Sequence, residues 1–569
     1  MGYDIFVREQ GSITFNLSNL LTIATPIEGD QTSGPDTVGG LNKIGPGTLM
    51  LNGANTYSGS TRVEGGALNL NGSVIGSAVV AEGGSLSGNA TVSGDLTNSG
   101  ILAPGNSIGT IHTTNLVLTS SSRLKMEVAS NGASDLIAAT GTAEVNGTLE
   151  VIPLPGTYQT TQSYSIITAA GGSTGFFSTV VSSEPSLLEV IYEPTGVLVE
   201  VLPVRALGMK RNAAAAASCY LADGFTPGSD IEAVSAALLT LNADQINDSF
   251  NQMQPSQFSG LAWSQIENAL LVRSSYSQHL QEANLSSNCC DGLQVWTEVM
   301  GAWQKQHSEG QQFGYTDATG GVSLGVDAVC RNPFRFGVAA SYTYSHLNWS
   351  QSAGHAHTNS FYGGFYGNWS NARGYVNAAI LGAYSDYQTE RHLHFAAIHR
   401  HAKSSHHGWQ GLAGVEAGLN FACGAQMEII PFVSIDYIYL SRQNFVEHGA
   451  KSLNLKVGSH HDQVIQSELG FIWTGRYVYE KLGTFAPSVK LSYINDAPIG
   501  NRRLDASFVD SDCQFTVQGL HFLRNLGAVS VGFTYLNCGN ALAVTVRYDG
   551  QFGSKYYNQA ANIGLDIRF

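Results

Sequence analysis

Positive charge is scarce in this 569-residue chain: 28 Lys and Arg stand against 43 Asp and Glu, a formal net charge of −15. No basic patch is available to offset phosphate charge, which excludes nucleic acid as a partner. Charge of either sign is thin, at 12% of residues. Long apolar runs are missing as well, and none reaches the roughly 18–20 residues of a membrane-spanning helix. Any part of the chain that crosses a bilayer must therefore do so as a closed barrel. The first ten residues lack the basic stretch followed by an apolar one that marks a secretory leader. The chain is accordingly expected to be a fragment, or to carry a misplaced start. Nucleophiles with a plausible base are also lacking. Gly171-Gly172-Ser173-Thr174-Gly175 matches the G-x-S-x-G pattern of hydrolases, which needs a strand, a sharp turn and then a helix. Phe176 to Val181, which follows, reads as a strand, so a plain turn is expected at the glycines and no enzyme activity. No catalytic, cofactor-binding or metal-ligating set is assigned.

What the chain has is glycine, 65 of them, and two-residue alternation. In the last dozen residues Ile563, Leu565, Ile567 and Phe569 alternate with Asn562, Gly564, Asp566 and Arg568. Phe334, Phe336, Val338, Ala340, Tyr342 and Tyr344 likewise oppose Arg335, Gly337, Ala339, Ser341, Thr343 and Ser345. Such alternation means two faces in two different solvents. Twelve strands are predicted, at 292–305, 319–331, 333–348, 357–370, 373–390, 406–423, 425–442, 461–477, 484–497, 521–537, 540–551 and 558–569. Short turns (331–332, 371–372, 423–424, 480–481, 538–539) alternate with long loops (306–318, 349–356, 391–405, 443–460, 498–520). An even strand count, aromatic ends on the apolar face and loop lengths sorted by rim are the pattern of an outer-membrane β-barrel with the long loops outside.

Two other regions precede it. Residues 1–203 are rich in Gly, Ser, Thr and Asn, with short apolar triplets such as Ala67-Leu68-Asn69-Leu70 and Gly doublets at 39–40, 65–66 and 83–84. Short strands with Gly or Asn at the corners predict a right-handed β-helix or similar β-solenoid, with an ordinary β-sandwich as the alternative. Residues 204–288 change to helix formers around Asn212–Ala217 and Glu232–Leu241. From Trp263 to Glu282 polar residues lie nearly all round the predicted helix, which suits a polar tube better than an apolar core. The fold class is thus all-β with a short helical linker: a solenoid over 1–203, a linker and pore helix over 204–288, and a twelve-stranded antiparallel transmembrane barrel with a luminal helix over 289–569.

At this point the arrangement resembles a classical (type Va) autotransporter. Gly39-Gly40-Leu41-Asn42-Lys43 through Gly47-Thr48-Leu49 to Gly59, continued by Gly65-Gly66-Ala67-Leu68, looks like the repeat of that family's passengers. Leu102-Ala103-Pro104-Gly105-Asn106-Ser107-Ile108-Gly109 resembles a second motif that follows the repeats, and 116–202 is similar to the autochaperone end of such passengers. Leu241 to Phe258 resembles the helical stretch before the translocator. The alternate apolar residues Ile563, Leu565, Ile567 and terminal Phe569 are similar to the signal read by the barrel-assembly machinery. The resemblance implies a barrel in the bacterial outer membrane that carries its own solenoid to the cell surface, a helix near 262–285 spanning the lumen, and no cofactor. Its implied partners are outer-membrane lipid and the assembly machinery. An adhesin, whose passenger or outer loops bind host surfaces, is the alternative function.

Charged side chains on the predicted lumen face are Asp327, Arg335, Glu416, Asp436, Lys490, Arg547, Asp566 and Arg568. They either pair among themselves and rigidify the tube, or grip Glu267 and Arg273 of the helix and plug the pore. Of the seven cysteines, Cys289 and Cys290 precede the first strand, and Cys330, Cys423 and Cys538 fall at short turns. By rim parity all five face the periplasm, whose oxidising conditions permit disulfides. This usage resembles the chlamydial branch of the family, the polymorphic outer-membrane proteins, and implies disulfide-linked neighbours; unpaired small residues at turns are the alternative. His392, His394, His399, His401, His406 and His407 crowd one stretch, and His355 and His357 are expected in another outer loop. They read as solvated loop and strand-end residues, with a metal site or an acid-sensing surface as the alternative, since each His-x-His pair puts two rings on one face of a strand.

Overall fold

The computed structural model describes residues 5–8, 11–29, 39–159, 162–284, 293–330, 334–424, 426–500, 502–520, 524–539 and 541–568. The chain divides into two compact units, Met1–Phe250 with Phe395–Ile398, and Asn251–His394 with His399–Phe569.

The first unit is a three-faced stack of parallel strands. One coil contributes Ala78–Val80, Gly84–Gly88 and Thr91–Val92; the next contributes Leu96–Asn98, Ile101–Pro104 and Thr110–Thr113. Each strand pairs in parallel with its counterpart in the coil before and after. Alternation sets one residue in two inward. Leu49, Leu68, Leu86, Leu102, Leu124, Leu149 and Val180 stack register on register down one face. All seven are buried, and this ladder of like side chains is the core. Corners need backbone that only glycine accepts cheaply. At Gly66, with φ of +67°, a Cβ would meet the carbonyl oxygens of Gly45 and Gly47 at 2.4 Å. Lys43, though buried, is satisfied: its ammonium donates to the carbonyls of Ile44, Gly45 and Gly65 at 2.8–2.9 Å, closing a corner.

The parallel order ends at a hairpin. Ser186–Glu193 and Gly196–Pro203 pair antiparallel, and the second of them lies antiparallel on Ser163–Ala169 of the last parallel coil. Helices Arg211–Tyr220 and Asp230–Leu239 follow. The second starts at an N-cap: Ser229 accepts from the Glu232 amide, and the Glu232 carboxylate accepts from the amide of Gly228, one residue before the cap, at 2.6 Å. Ser235 on its inner face accepts from the Leu188 amide of the hairpin at 2.8 Å.

The second unit is a closed antiparallel ring of twelve long strands: Leu293–Gln306, Tyr315–Cys330, Phe334–Trp349, Gly354–Asn371, Gly374–Phe395, Ile398–Leu419, Met427–Arg442, His460–Gly475, Gly483–Ile499, Arg524–Leu536, Leu542–Phe552 and Tyr556–Arg568. The first strand pairs with the twelfth from Gln294↔Arg568 to Gln306↔Tyr556, so no edge is left open. Val299, Leu324, Phe336, Phe365, Ile380, Leu469, Phe471 and Ile563 stand exposed on the outside, flanked by Trp303, Trp369, Trp409 and Trp473. Inside lie Ser323, Ser341, Ser345, Ser360 and Ser385, with buried acids and arginines. Polar inside and apolar outside is the inverse of a water-soluble core, and fits a ring whose outer solvent is lipid.

Two expectations about the outer loops are corrected. Residues 391–405 are not a loop: the fifth and sixth strands run on, 22 residues each. Their outward side chains become polar past the apolar band, while Leu393 and Ala402 still point inward and are buried, so alternation and the ladder continue in water. The predicted loops 443–460 and 498–520 are not bare either. Phe445–Val446, Leu455–Val457, Arg503–Phe508 and Gln514–Gln518 form a separate four-stranded sheet. Its buried Leu455, Phe508 and Val517 form a small apolar patch too short to stand out as periodic sequence.

Candidate functional site: the helix in the barrel lumen

Phe258–Asn284 forms a single helix of 27 residues. At about 1.5 Å per residue this is about 40 Å, longer than the roughly 25 Å apolar band of such barrels. It lies inside the ring, and its polar side chains are buried on nearly every side. Polar residues all round, unusual for a packed helix, are what a polar tube requires.

The helix is held at three levels. Near its start, Ser264 donates to Asp317 at 2.6 Å and Glu267 pairs with Arg524 at 2.6 Å. The Arg524 guanidinium lies over the rings of Trp263, 4.6 Å away, and Tyr556, 3.8 Å away. Half-way down, Arg273 reaches Asp436 at 2.8 Å and Glu416 at 3.7 Å. Gln265 spans several strands: its Nε2 donates to Ser345, its Oε1 accepts from Ser360, and its carbonyl accepts from Gln410. Near the end, His279 places Nε2 2.7 Å from Asp327 and Nδ1 2.6 Å from Asp566, with its ring stacked 4.8 Å over Trp296. Trp296 belongs to the first strand, Asp327 to the second and Asp566 to the twelfth. One imidazole therefore ties together both sides of the seam where the ring closes, and Gln294 donates across that seam to Asp566 at 2.9 Å. Buried charges are tolerable only when paired and hydrogen-bonded in this way.

The direction of the helix is fixed by what its ends touch. At the start, the Gln257 carbonyl accepts from the Trp349 indole, Phe258 packs on Phe445, and Ser259 accepts from the Leu520 amide. All three partners lie on the long-loop rim. At the other end, Asp566 and Trp296 lie toward the rim of the short turns. The helix leaves part of the lumen free: a cavity of about 1020 Å³ runs beside it, lined by Leu270, Ser274 and Gln278 of the helix and by Lys490 and Arg547 of the wall.

Glu267 and Arg273 are both in these clamps, and Glu416, Asp436, Asp327 and Asp566 are among their wall partners and those of His279. Arg335 pairs with Asp327 at 3.0 Å, Lys490 with Glu468 at 2.9 Å, and Arg547 with Asp549 at 2.9 Å. Arg524 and His279 escaped the sequence reading. Arg524 lies at the end of a predicted strand beside a long loop, and His279 is one polar residue among many on a helix. Ile563, Leu565 and Ile567 sit on the terminal strand, while Phe569 lies outside the described residues. Cys289 and Cys290, and the side chain of Cys330, also lie outside them. Cys423 and Cys538 are free and exposed. The disulfide-bonded cysteines among the described residues are Cys219 and Cys513, neither of which belongs to the predicted rim set. Gly172–Gly175 is a strand rather than a turn, and Thr179–Ser182 after it is a strand rather than the helix a nucleophile elbow requires.

Comparison with known families agrees with this architecture. Residues 295–549 match the autotransporter beta-domain, and residues 41–70 match the passenger-associated-transport-repeat. The chain is a type V autotransporter. Its barrel places it in the bacterial outer membrane. Two curated relatives of this autotransporter, each an extracellular serine protease of Serratia marcescens, are 25% identical over 97% of the chain. The chain spans 59% of the length of those relatives. Among solved structures, the translocator domain of NalP from Neisseria meningitidis is 15% identical, with a TM-score of 0.41 over 53% of the autotransporter and 98% of that domain. The β-domain of BrkA from Bordetella is 12% identical, with a TM-score of 0.39 over 49% of the chain and all of that domain.

Proposed function

We propose that the barrel carries the N-terminal solenoid across the outer membrane and then holds it at the cell surface, leaving the Phe258–Asn284 helix in the lumen as a plug. The observation that carries this reading is the direction of the helix. Its N-terminal end contacts the long-loop rim and its C-terminal end the seam near the short turns, so the chain preceding it leaves the barrel on the outside. The clamps at Glu267, Arg273 and His279 then act after passage, fixing the last segment to cross. Ile563, Leu565, Ile567 and Phe569 serve as the terminal-strand signal for the barrel-assembly machinery. Two measurements test the reading. Protease added to intact cells should digest residues 1–203 while sparing the barrel. Single-channel conductance should be low for the whole chain and rise on deletion of 258–284. A protected solenoid, or a conductance that the deletion leaves unchanged, sinks the proposal.

A further inference from the structure

The fifth and sixth barrel strands project past the lipid band. Along the outward face of the fifth, Val376 and Ile380 give way to Asp386, Gln388, Glu390, His392 and His394. The sixth brings His399, His401 and Lys403 alongside before reaching Trp409 near the membrane. Imidazoles gather on this face. The ring centroids of His392 and His401 lie 4.4 Å apart, those of His394 and His399 5.4 Å, and those of His355 and His392 5.9 Å. His355 on the fourth strand pairs directly with Glu390.

One carboxylate lies at the centre. Glu390 Oε1 is approached by His401 Nδ1 at 2.5 Å and by His392 Nε2 at 3.4 Å, while Lys403 takes the other oxygen at 3.2 Å. One donor atom from each of Glu390, His392 and His401 lies within 4.8 Å of the others. Around a tetrahedral zinc ion, with metal–ligand distances of about 2.0–2.2 Å, donor atoms sit roughly 3.3 Å apart. The three groups therefore need only small side-chain rotations to enclose an ion, and the paired strands fix their backbones. An isolated solvated histidine has no reason to share its acceptor with a second one. Two that converge on a single carboxylate oxygen, beside further imidazoles, form a ligand set.

We infer that Glu390, His392 and His401 bind a divalent transition-metal ion of the zinc class on the outer rim of the barrel. Two imidazoles and one carboxylate suit zinc, copper or nickel, whereas calcium and magnesium require mostly oxygen ligands. His355 and His394 flank this set, their ring centroids 5.9 and 5.8 Å from that of His392, and either would complete the coordination. Binding would displace Lys403 from Glu390 and clip the fifth strand to the sixth where neither has lipid support. The inference stands on this rim alone and is independent of what the barrel exports.

The test uses the full chain folded in detergent micelles, with zinc chloride as the probe in calorimetry and cobalt(II) as the spectroscopic probe. The wild type should show saturable zinc binding, and a visible cobalt absorption that zinc displaces. His392→Ala and His401→Ala should each weaken zinc binding at least about tenfold, Glu390→Gln should weaken it as well, and His112→Ala in the solenoid should leave it unchanged. Heat-modifiable migration confirms that each variant remains a folded barrel. The inference is overturned by absence of saturable binding in the folded wild type. Equal affinity in the folded double variant His392→Ala/His401→Ala overturns it too, as does competition by calcium as effective as that by zinc.

Discussion

The solenoid and the barrel are built from the same alternating strand, but turn it in opposite directions. In the solenoid the apolar residue points inward: the Leu49–Val180 ladder is buried and Asn, Ser and Thr face water. In the barrel the apolar residue points outward, and the interior is filled by serines, acids, arginines and one polar helix. The solenoid pairs strands of successive coils in parallel; the barrel pairs neighbours antiparallel and joins its first strand to its last. Stability in the solenoid is therefore added coil by coil, with apolar contact doing most of it. In the barrel it is bound up with ring closure and with buried charges that are held by paired partners. The same period-2 pattern supports both because what differs is the solvent on each side, not the strand.

The largest contrast should appear when a piece is removed from each unit. Deleting Phe569, or appending a charged tail, is expected to strip most heat-modifiable barrel from outer-membrane fractions, since the twelfth strand closes the ring. Excising one interior coil of the solenoid, residues 78–95, should leave barrel assembly at wild-type levels on the same gels. Equal outcomes for the two deletions would erase the distinction.

Next come the buried charges. Arg273→Ala leaves Asp436 and Glu416 facing each other without their cation, and removing one partner of a buried pair costs about 3–5 kcal/mol. Denaturant unfolding of the barrel in micelles should register that loss. An effect below about 1 kcal/mol would mean that water from the neighbouring cavity takes over the role of the guanidinium. Leu102→Ala probes the opposite kind of interior. Leu102 stacks between Leu86 and Leu124 and is fully buried, so the cavity should cost about 2–5 kcal/mol, seen in the unfolding of the solenoid alone. A mild effect would show that adjacent coils can collapse onto the gap.

The smallest of the expected changes is at the lipid face. Val338→Arg or Val546→Arg puts a charge on an outward position and should destabilise by about 2–4 kcal/mol near the bilayer midplane, less toward the rims. Silent substitutions at both would place those residues in water and undo the inversion.

How much of this was legible beforehand follows the same division. The twelve strands could be read because lipid enforces alternation residue by residue: Phe336, Val338 and Ala340 oppose Arg335, Gly337 and Ala339 without interruption. The helix could be read from its all-round polarity, and Glu267 and Arg273 stand out as charged residues in its middle. Arg524 and His279 could not, because what makes them important is contact with residues hundreds of positions away, such as Glu267 to Arg524 and His279 to Asp566. The extended hairpin was mistaken for a loop for a related reason. Past the membrane the outward face meets water, so His392, His394, His399 and His401 look like loop composition although both strands run on and Leu393 and Ala402 stay buried on the other face. Disulfide-bonded Cys219 and Cys513 gave no local signal, whereas the turn position of Cys423 and Cys538 drew attention to two thiols that are free.

The antiparallel hairpin Ser186–Pro203 has a consequence for ancestry. It turns the last parallel coil into a finished face, so every coil before it rests on a foundation that does not depend on how many coils there are. Duplication or loss of a whole coil then changes the reach of the surface appendage without touching the hairpin, the lumen helix or the barrel. A lineage built on this plan can vary what it displays by counting, while its export apparatus stays constant.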